Sequence, residues 1–154
     1  MPSAIQSIDN MFVAKLYSLT DFSLLKIVAV FLAHYLEYIL AFLVVCFIFH
    51  SLVHLGRNLR IAILAVLSGF VARVIIKNII VSFYLRARPF ITLPDIHSLI
   101  KIDPNDLYHS FPSGHMIFFF ALGSVIYYYN RQWGIIFLAA SGLMGIGRIM
   151  VGVH

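Results

Sequence analysis

The sequence predicts an all-α fold, a polytopic membrane bundle of about four spans preceded by an interfacial helix. Three observations carry this. The apolar fraction is 62% and the charged fraction 11%, against about half and about a quarter in soluble domains. Apolar runs near the ~20 residues needed to cross a bilayer are separated by polar connections. Aromatic residues collect at the ends of those runs, Phe83, Tyr84 and Phe90 on one side and Tyr127, Tyr128, Tyr129 and Trp133 on the other, as interfacial belts do.

The first element covers residues 6–19. Ile8, Met11, Phe12, Leu16 and Tyr17 recur at helical spacing, which predicts a helix lying in the interface. Asp9 precedes any basic residue, and no cleavage-site pattern follows a short apolar core, so a cleaved signal peptide is not expected. Asp21, in Asp21-Phe22-Ser23-Leu24, is placed to cap a second helix that can run on into the first span. Spans are expected near 35–55, 61–85, 114–130 and 133–153. The whole of 1–154 is read as one domain, with interfacial helices over 1–34 and the membrane core over 35–154. The connections 55–60 and 130–133 are short. The connection 86–112 is long and polar, with Pro94, Pro104, Asp95, Asp103 and Asp106. A long loop in a small helical protein is usually functional.

Orientation follows from the short connections. Arg57, Arg60 and Arg131 lie in them, so the positive-inside rule makes that side cytoplasmic. The chain is then a multi-pass protein of the cell membrane, with the 86–112 loop facing outward. The basic residues on that outer side oppose the rule and call for a functional reason. The formal charge of +5 comes from scattered Lys and Arg, with no basic run for nucleic acid. The expected partners are the lipid bilayer and a membrane lipid substrate, with no nucleic acid; no oligomeric state follows. Cys46 lies inside an apolar run and is read as a small buried hydrophobe.

Three clusters carry chemistry. Pro112-Ser113-Gly114-His115 opens an apolar run. Proline and serine there signal a helix start, and Gly114 lets an oxyanion approach the backbone. The N–H groups at that helix end favour phosphate, with His115 in the first turn. Arg148 and His154 close the chain, with five residues between them. They can share a site if the helix ends near Gly152, the arginine holding phosphate oxygens and the histidine reaching phosphorus. Arg86 and Arg88 flank Ala87 at the end of the second span, where Pro89 stops regular helix and fixes the loop's exit. Deeper in that span stand Arg73 and Lys77. Two cations within a bilayer call for a polar interior or an acid partner, and Glu37 in the first span is the expected partner. His34, His50, His54 and His97 carry no motif. His109 lies near His115, but no further ligand stands at metal-site spacing and no His-Glu-x-x-His pattern occurs, so neither a metal nor another cofactor is expected.

Together these residues resemble the type 2 phosphatidic acid phosphatase superfamily of integral membrane lipid phosphatases. Its three motifs are Lys-x6-Arg-Pro, Pro-Ser-Gly-His and Ser-Arg-x5-His-x3-Asp. Pro112, Ser113, Gly114 and His115 match the second in full. Arg88-Pro89 matches the end of the first, and Arg148 with His154 the core of the third. The resemblance covers roughly 35–154. Within the superfamily the small size, the interfacial helix and the Arg-Ala-Arg-Pro-Phe stretch are similar to bacterial undecaprenyl-diphosphate phosphatases. Phosphatidic acid or phosphatidylglycerophosphate is the near alternative substrate, and a non-catalytic helical membrane protein the rival from another class.

The resemblance implies a metal-independent hydrolysis. His154 attacks phosphorus and forms a phosphohistidine. His115 protonates the leaving oxygen and then activates water. Arg88, Arg148, Ser113 and the Gly114 N–H stabilise the transition state. The sequence departs from the motifs at three places. The family lysine falls on Val81. Lys77 lies one turn earlier, but its Cα–Cβ bond tilts away from the loop, so Arg86 is the better placed substitute. Gly147 stands where the family has serine. The family aspartate, four residues past the last histidine, and a final span do not occur. The expectation is that the chain is a C-terminally truncated piece without activity, its His154 unheld, and that Ser141 and Gly145 form a packing face for a missing helix.

Overall fold

The structure, a computed structural model, describes residues 4–53, 57–102 and 107–154. His54, Pro104, Asp103 and Asp106 lie outside the described residues. The described chain is an all-α membrane bundle. Helix α1 covers Ala4–Ser18 and α2 covers Ser23–Val30; a π-helical turn, Phe31–Tyr35, joins α2 to α3, Leu36–Val53. Helix α4, Arg57–Phe70, continues through a second π-turn, Val71–Ile76, into α5, Lys77–Phe83. A short α6, Pro89–Thr92, sits in the long connection, and α7, Gly114–Tyr129, and α8, Arg131–Met150, complete the bundle.

Among the described residues three helices are long and apolar enough to cross a membrane: Ser23–Phe49, Leu59–Phe83 and Arg131–Met150. Gly114–Tyr129 is apolar but has 16 residues, about 24 Å at the helical rise. It is short because Ser113 and Asn130, both extended, end it on either side. The first span begins well before the expected residue 35, because α2 and α3 form one rod. Asp21 does not cap α2. It lies in a 3-10 turn, and the extended residue before the helix is Phe22, without a side-chain cap. Pro89 opens α6 at its first turn rather than stopping a helix, as its fixed φ allows.

Most of the outer circumference is apolar, with Leu24, Ile27, Phe42 and Phe83 among the exposed side chains. A helix apolar all round belongs in lipid, where such exposure costs nothing. Cys46 is on this exposed surface and not buried, because the first span turns Ala33 of the π-turn and Leu40 and Val44 of α3 inward instead. The core joins Leu40, Ala65, Phe119, Leu122, Phe137 and Met144 of four helices.

Helices α7 and α8 form the tightest pair. Asn130 ends α7 and caps α8, its side chain accepting from Trp133 N at 3.3 Å. A Cβ at Gly134 would lie 2.1 Å from Tyr127 Cα, so the hairpin closes only on glycine. Ser141 and Gly145 do not form an outer packing face. Ser141 is fully buried with its hydroxyl on the Phe137 carbonyl, and a Cβ at Gly145 would meet Met116 Sδ at 2.7 Å.

Candidate active site

The long connection brings its two ends together. Residues 86–88 lie beside 107–110: Ser110 N donates to Arg86 O at 3.0 Å and Arg88 N to Leu107 O at 3.1 Å. The pairing sets the Arg-Ala-Arg stretch beside the segment that enters α7. Arg88 is 3% exposed, and its Nη1 donates to Val153 O at 2.7 Å. It therefore anchors the chain that follows α8. Arg86 turns the other way. It forms an ion pair with Asp9 of α1, and its Nη1 lies 3.4 Å from Ser110 Oγ.

The segment after α8 is tied down at every residue. Val153 N returns to Arg148 O at 3.1 Å, and Leu99 N donates to Val151 O at 3.2 Å. Gly152 adopts φ +78°, the left-handed region that glycine enters without strain. This turn folds His154 back towards Arg148, bringing its Nε2 to 3.4 Å from Arg148 Nη1. The ring is 8% exposed, and its Nδ1 contacts the Ser110 carbonyl oxygen. The expectation that nothing holds His154 is thus corrected, and with it one reason for expecting an inactive chain. A carbonyl can only accept, so it places the proton on Nδ1 and makes Nε2 the unprotonated ring nitrogen.

Arg148 is held on two further edges. Its Nε donates to Ala33 O at 3.3 Å and its Nη2 to Glu37 Oε2 at 3.1 Å. Ala33 belongs to the first π-turn, and such turns alter which carbonyls face outward. The helices touch here because residue 147 is glycine. A Cβ would fall 2.6 Å from Leu32 Cβ and 2.9 Å from Ala33 N. That explains the departure from the family serine: the seat has no room for one. The same Glu37 Oε2 lies 3.5 Å from His115 Nε2. Glu37 therefore does not pair with Arg73 or Lys77, as its depth in the sequence led us to expect. The two spans present these groups to different neighbours.

Ser113 and Gly114 stand at the start of α7. Ser113 is 9% exposed and its Oγ has no hydrogen-bond partner among the described residues. A buried hydroxyl left so costs about 1–3 kcal/mol, which a ligand oxygen would recover. A Cβ at Gly114 would lie 3.5 Å from Lys77 Nζ and 3.9 Å from Arg73 Nε. Lys77 thus reaches the helix end, contrary to the tilt argument. The second π-turn ends immediately before it and redirects the residues that follow. Two cations above a positive helix end repel it, and an anion resolves the conflict. Lys77 and Arg73 approach Gly114, while Arg86 lies on the side of Pro112 and Ser113 that faces the cavity.

A cavity of about 590 Å³ opens beside these groups. Arg86, Ser110, Ser113, Arg148 and His154 line it together with apolar side chains of α1, α7 and α8, such as Phe12, Phe120 and Ile146. His115 does not line it; Arg148 stands between the two histidines, touching His154 with one nitrogen and sharing Glu37 with His115. Among the described residues no three His, Cys, Asp or Glu side chains gather as a metal site would require. His109 is engaged in the backbone bridge with Arg86. Sequence reasoning missed the Ser110 carbonyl, the Ala33 carbonyl and the role of Asp9. Only Glu37 had a signal, as a lone acid within a span.

Residues 58–154 match the PAP2 superfamily. The chain is 34% identical over 134 residues to the bacitracin transport permease protein BcrC of Bacillus licheniformis. That alignment covers 87% of this chain and 63% of the relative, so the chain spans less than two thirds of that protein's length. No solved structure matches the chain.

Proposed function

The chain belongs to the PAP2 superfamily, and on that premise we propose that it hydrolyses a lipid phosphate or diphosphate, undecaprenyl diphosphate first among them, through a phosphohistidine on His154. The observation that carries this is the His154 ring, with Nδ1 on the Ser110 carbonyl and Nε2 facing Arg148 Nη1 at 3.4 Å. Nε2 attacks phosphorus as the bond to the leaving oxygen breaks. His115 gives that oxygen its proton. Water then attacks phosphorus, His115 takes a proton from it, and the P–N bond breaks to release phosphate. Arg148, Lys77, Ser113 Oγ and the Gly114 N–H surround the phosphoryl oxygens, and Arg88 holds the nucleophile's segment in place. The cations and the helix end supply the charge stabilisation, so no metal is required. The apolar wall of the cavity suits a lipid chain entering from the bilayer.

Rapid quench of the full chain with a 32P-labelled lipid diphosphate in excess chelator tests this. An acid-labile, base-stable phosphoprotein is expected, absent in His154→Ala. Turnover that needs added zinc or magnesium, or label retained in H154A, overturns it. We also place the site outside the cell membrane, since Arg57, Arg60 and Arg131 mark the opposite ends of the spans. Single cysteines at His97 and Gln132, with Cys46 replaced, check this in intact cells. An impermeant thiol reagent should label only 97.

A further inference from the structure

We propose that Glu37 is a positioning residue for this chemistry, a carboxylate that the first span inserts between Arg148 and His115 to hold proton donor and phosphate ligand in one geometry. The inference rests on the phosphatase reading above.

An acid within a membrane span is costly unless it is paired. Glu37 is paired twice by one oxygen: Oε2 is 3.1 Å from Arg148 Nη2 and 3.5 Å from His115 Nε2. The side chains of Glu37 and Arg148 are 14% and 11% exposed, so that contact is shielded from water, while the His115 side chain is 34% exposed. A pair serving only to neutralise Arg148 would have no need of His115. The contacts of Arg148 also divide by edge. Nε is bound by Ala33 O, Nη2 by Glu37, and Nη1 remains to face His154. With two edges held from the first span, the guanidinium cannot rotate, and its third edge stays aimed at the nucleophile.

For His115 the carboxylate meets Nε2 at 3.5 Å, and Nδ1 is the nitrogen assigned to exchange a proton with the leaving oxygen and later with water. To give that proton the ring must hold both at once. A carboxylate on the opposite nitrogen offsets the imidazolium charge and fixes the ring's orientation, as in other histidine–carboxylate pairs. Removing the carboxylate while keeping its shape should therefore strike leaving-group protonation more than phosphate binding.

The test compares Glu37→Gln with the parent chain in detergent on dodecyl phosphate, whose alkoxide leaving group needs a proton, and on p-nitrophenyl phosphate, whose leaving group does not. On dodecyl phosphate kcat should fall roughly 10²- to 10³-fold, and on the aryl substrate less than about tenfold, with KM changing little on either. In a His115→Ala background the same change should cost the dodecyl reaction less than about threefold, because the two residues act as one unit. Equal losses on both substrates, unchanged activity, or full additivity with H115A each overturn the proposal. If E37Q does not accumulate as folded protein, Glu37→Asp is read by the same substrate ratio and the same outcomes. A parent chain that turns over neither substrate overturns the phosphatase reading, and this inference with it.

Discussion

The first and second spans each break their α-helical ladder once, over Phe31–Tyr35 and over Val71–Ile76, and the two breaks serve opposite charges. The first turns a carbonyl and then an acid towards the site. Ala33 O and Glu37 Oε2 together engage Arg148, and Glu37 also reaches His115. The second is followed by Lys77 and contains Arg73, and both approach the start of α7. The acid side is complete in itself. On the cation side, neither Arg73 nor Lys77 has an ion-pair partner among the described residues, and Ser113 Oγ beside them is unpaired. One distortion thus fixes an arginine in advance, and the other gathers positive charge where a phosphate would bring the balance.

The largest effect that would break this contrast comes from the completed side. Arg148→Ala should lower kcat/KM by at least roughly 10³-fold, since a phosphate ligand and the partner of His154 go together. It should also destabilise the bundle by about 3–5 kcal/mol, because Glu37 keeps a shielded charge with one partner fewer. Adding Glu37→Gln should recover most of the thermal midpoint in detergent and none of the activity. A stable single variant would mean that the Glu37–Arg148 contact carries little weight.

Next comes the seat itself. Gly147→Ser restores the residue seen in the family motif, yet the new Cβ would meet Leu32 Cβ at 2.6 Å and backbone at 2.9 Å. Overpacking of this kind costs about 1–3 kcal/mol. A lower thermal midpoint and lower activity are expected together. An unchanged midpoint would show that the first π-turn and α8 approach each other less closely.

On the cation side, Lys77→Met should lower kcat/KM by roughly 10- to 10²-fold through lost charge stabilisation. Arg86→Ala should cost less, because its guanidinium is already committed to Asp9 and Ser110. The reverse order would move the phosphate from the start of α7 towards α1. The smallest effect is expected from Asp9→Asn. The side chains of Arg86 and Asp9 are 20% and 41% exposed, and partly solvated pairs contribute about 0–1 kcal/mol. A drop in thermal midpoint as large as that of R148A would make the Arg86–Asp9 pair as important to the bundle as the Glu37–Arg148 contact.

Composition and run length were enough to determine an all-α membrane bundle, its number of apolar helices and the place of the long connection, because lipid demands that every span satisfy its own backbone. The family and the identity of the motif residues were equally legible, since Pro112-Ser113-Gly114-His115 and the Arg148 to His154 spacing are local strings. Helix ends were less so: the first span starts at Ser23 because Phe22, not Asp21, is the residue that breaks the ladder. The side-chain partners were decided by tertiary structure alone. From sequence, Glu37 had Arg73 and Lys77 as its evident counter-charges, and Lys77 was judged by the direction of a regular helix. The second inference assumed a regular helix. A π-turn adds a residue to one turn and redirects everything after it, and no residue in Phe31–Tyr35 or Val71–Ile76 announces that. The grip on His154 was invisible for a related reason. It is a backbone carbonyl, Ser110 O, brought in from a distant loop, and every residue has one.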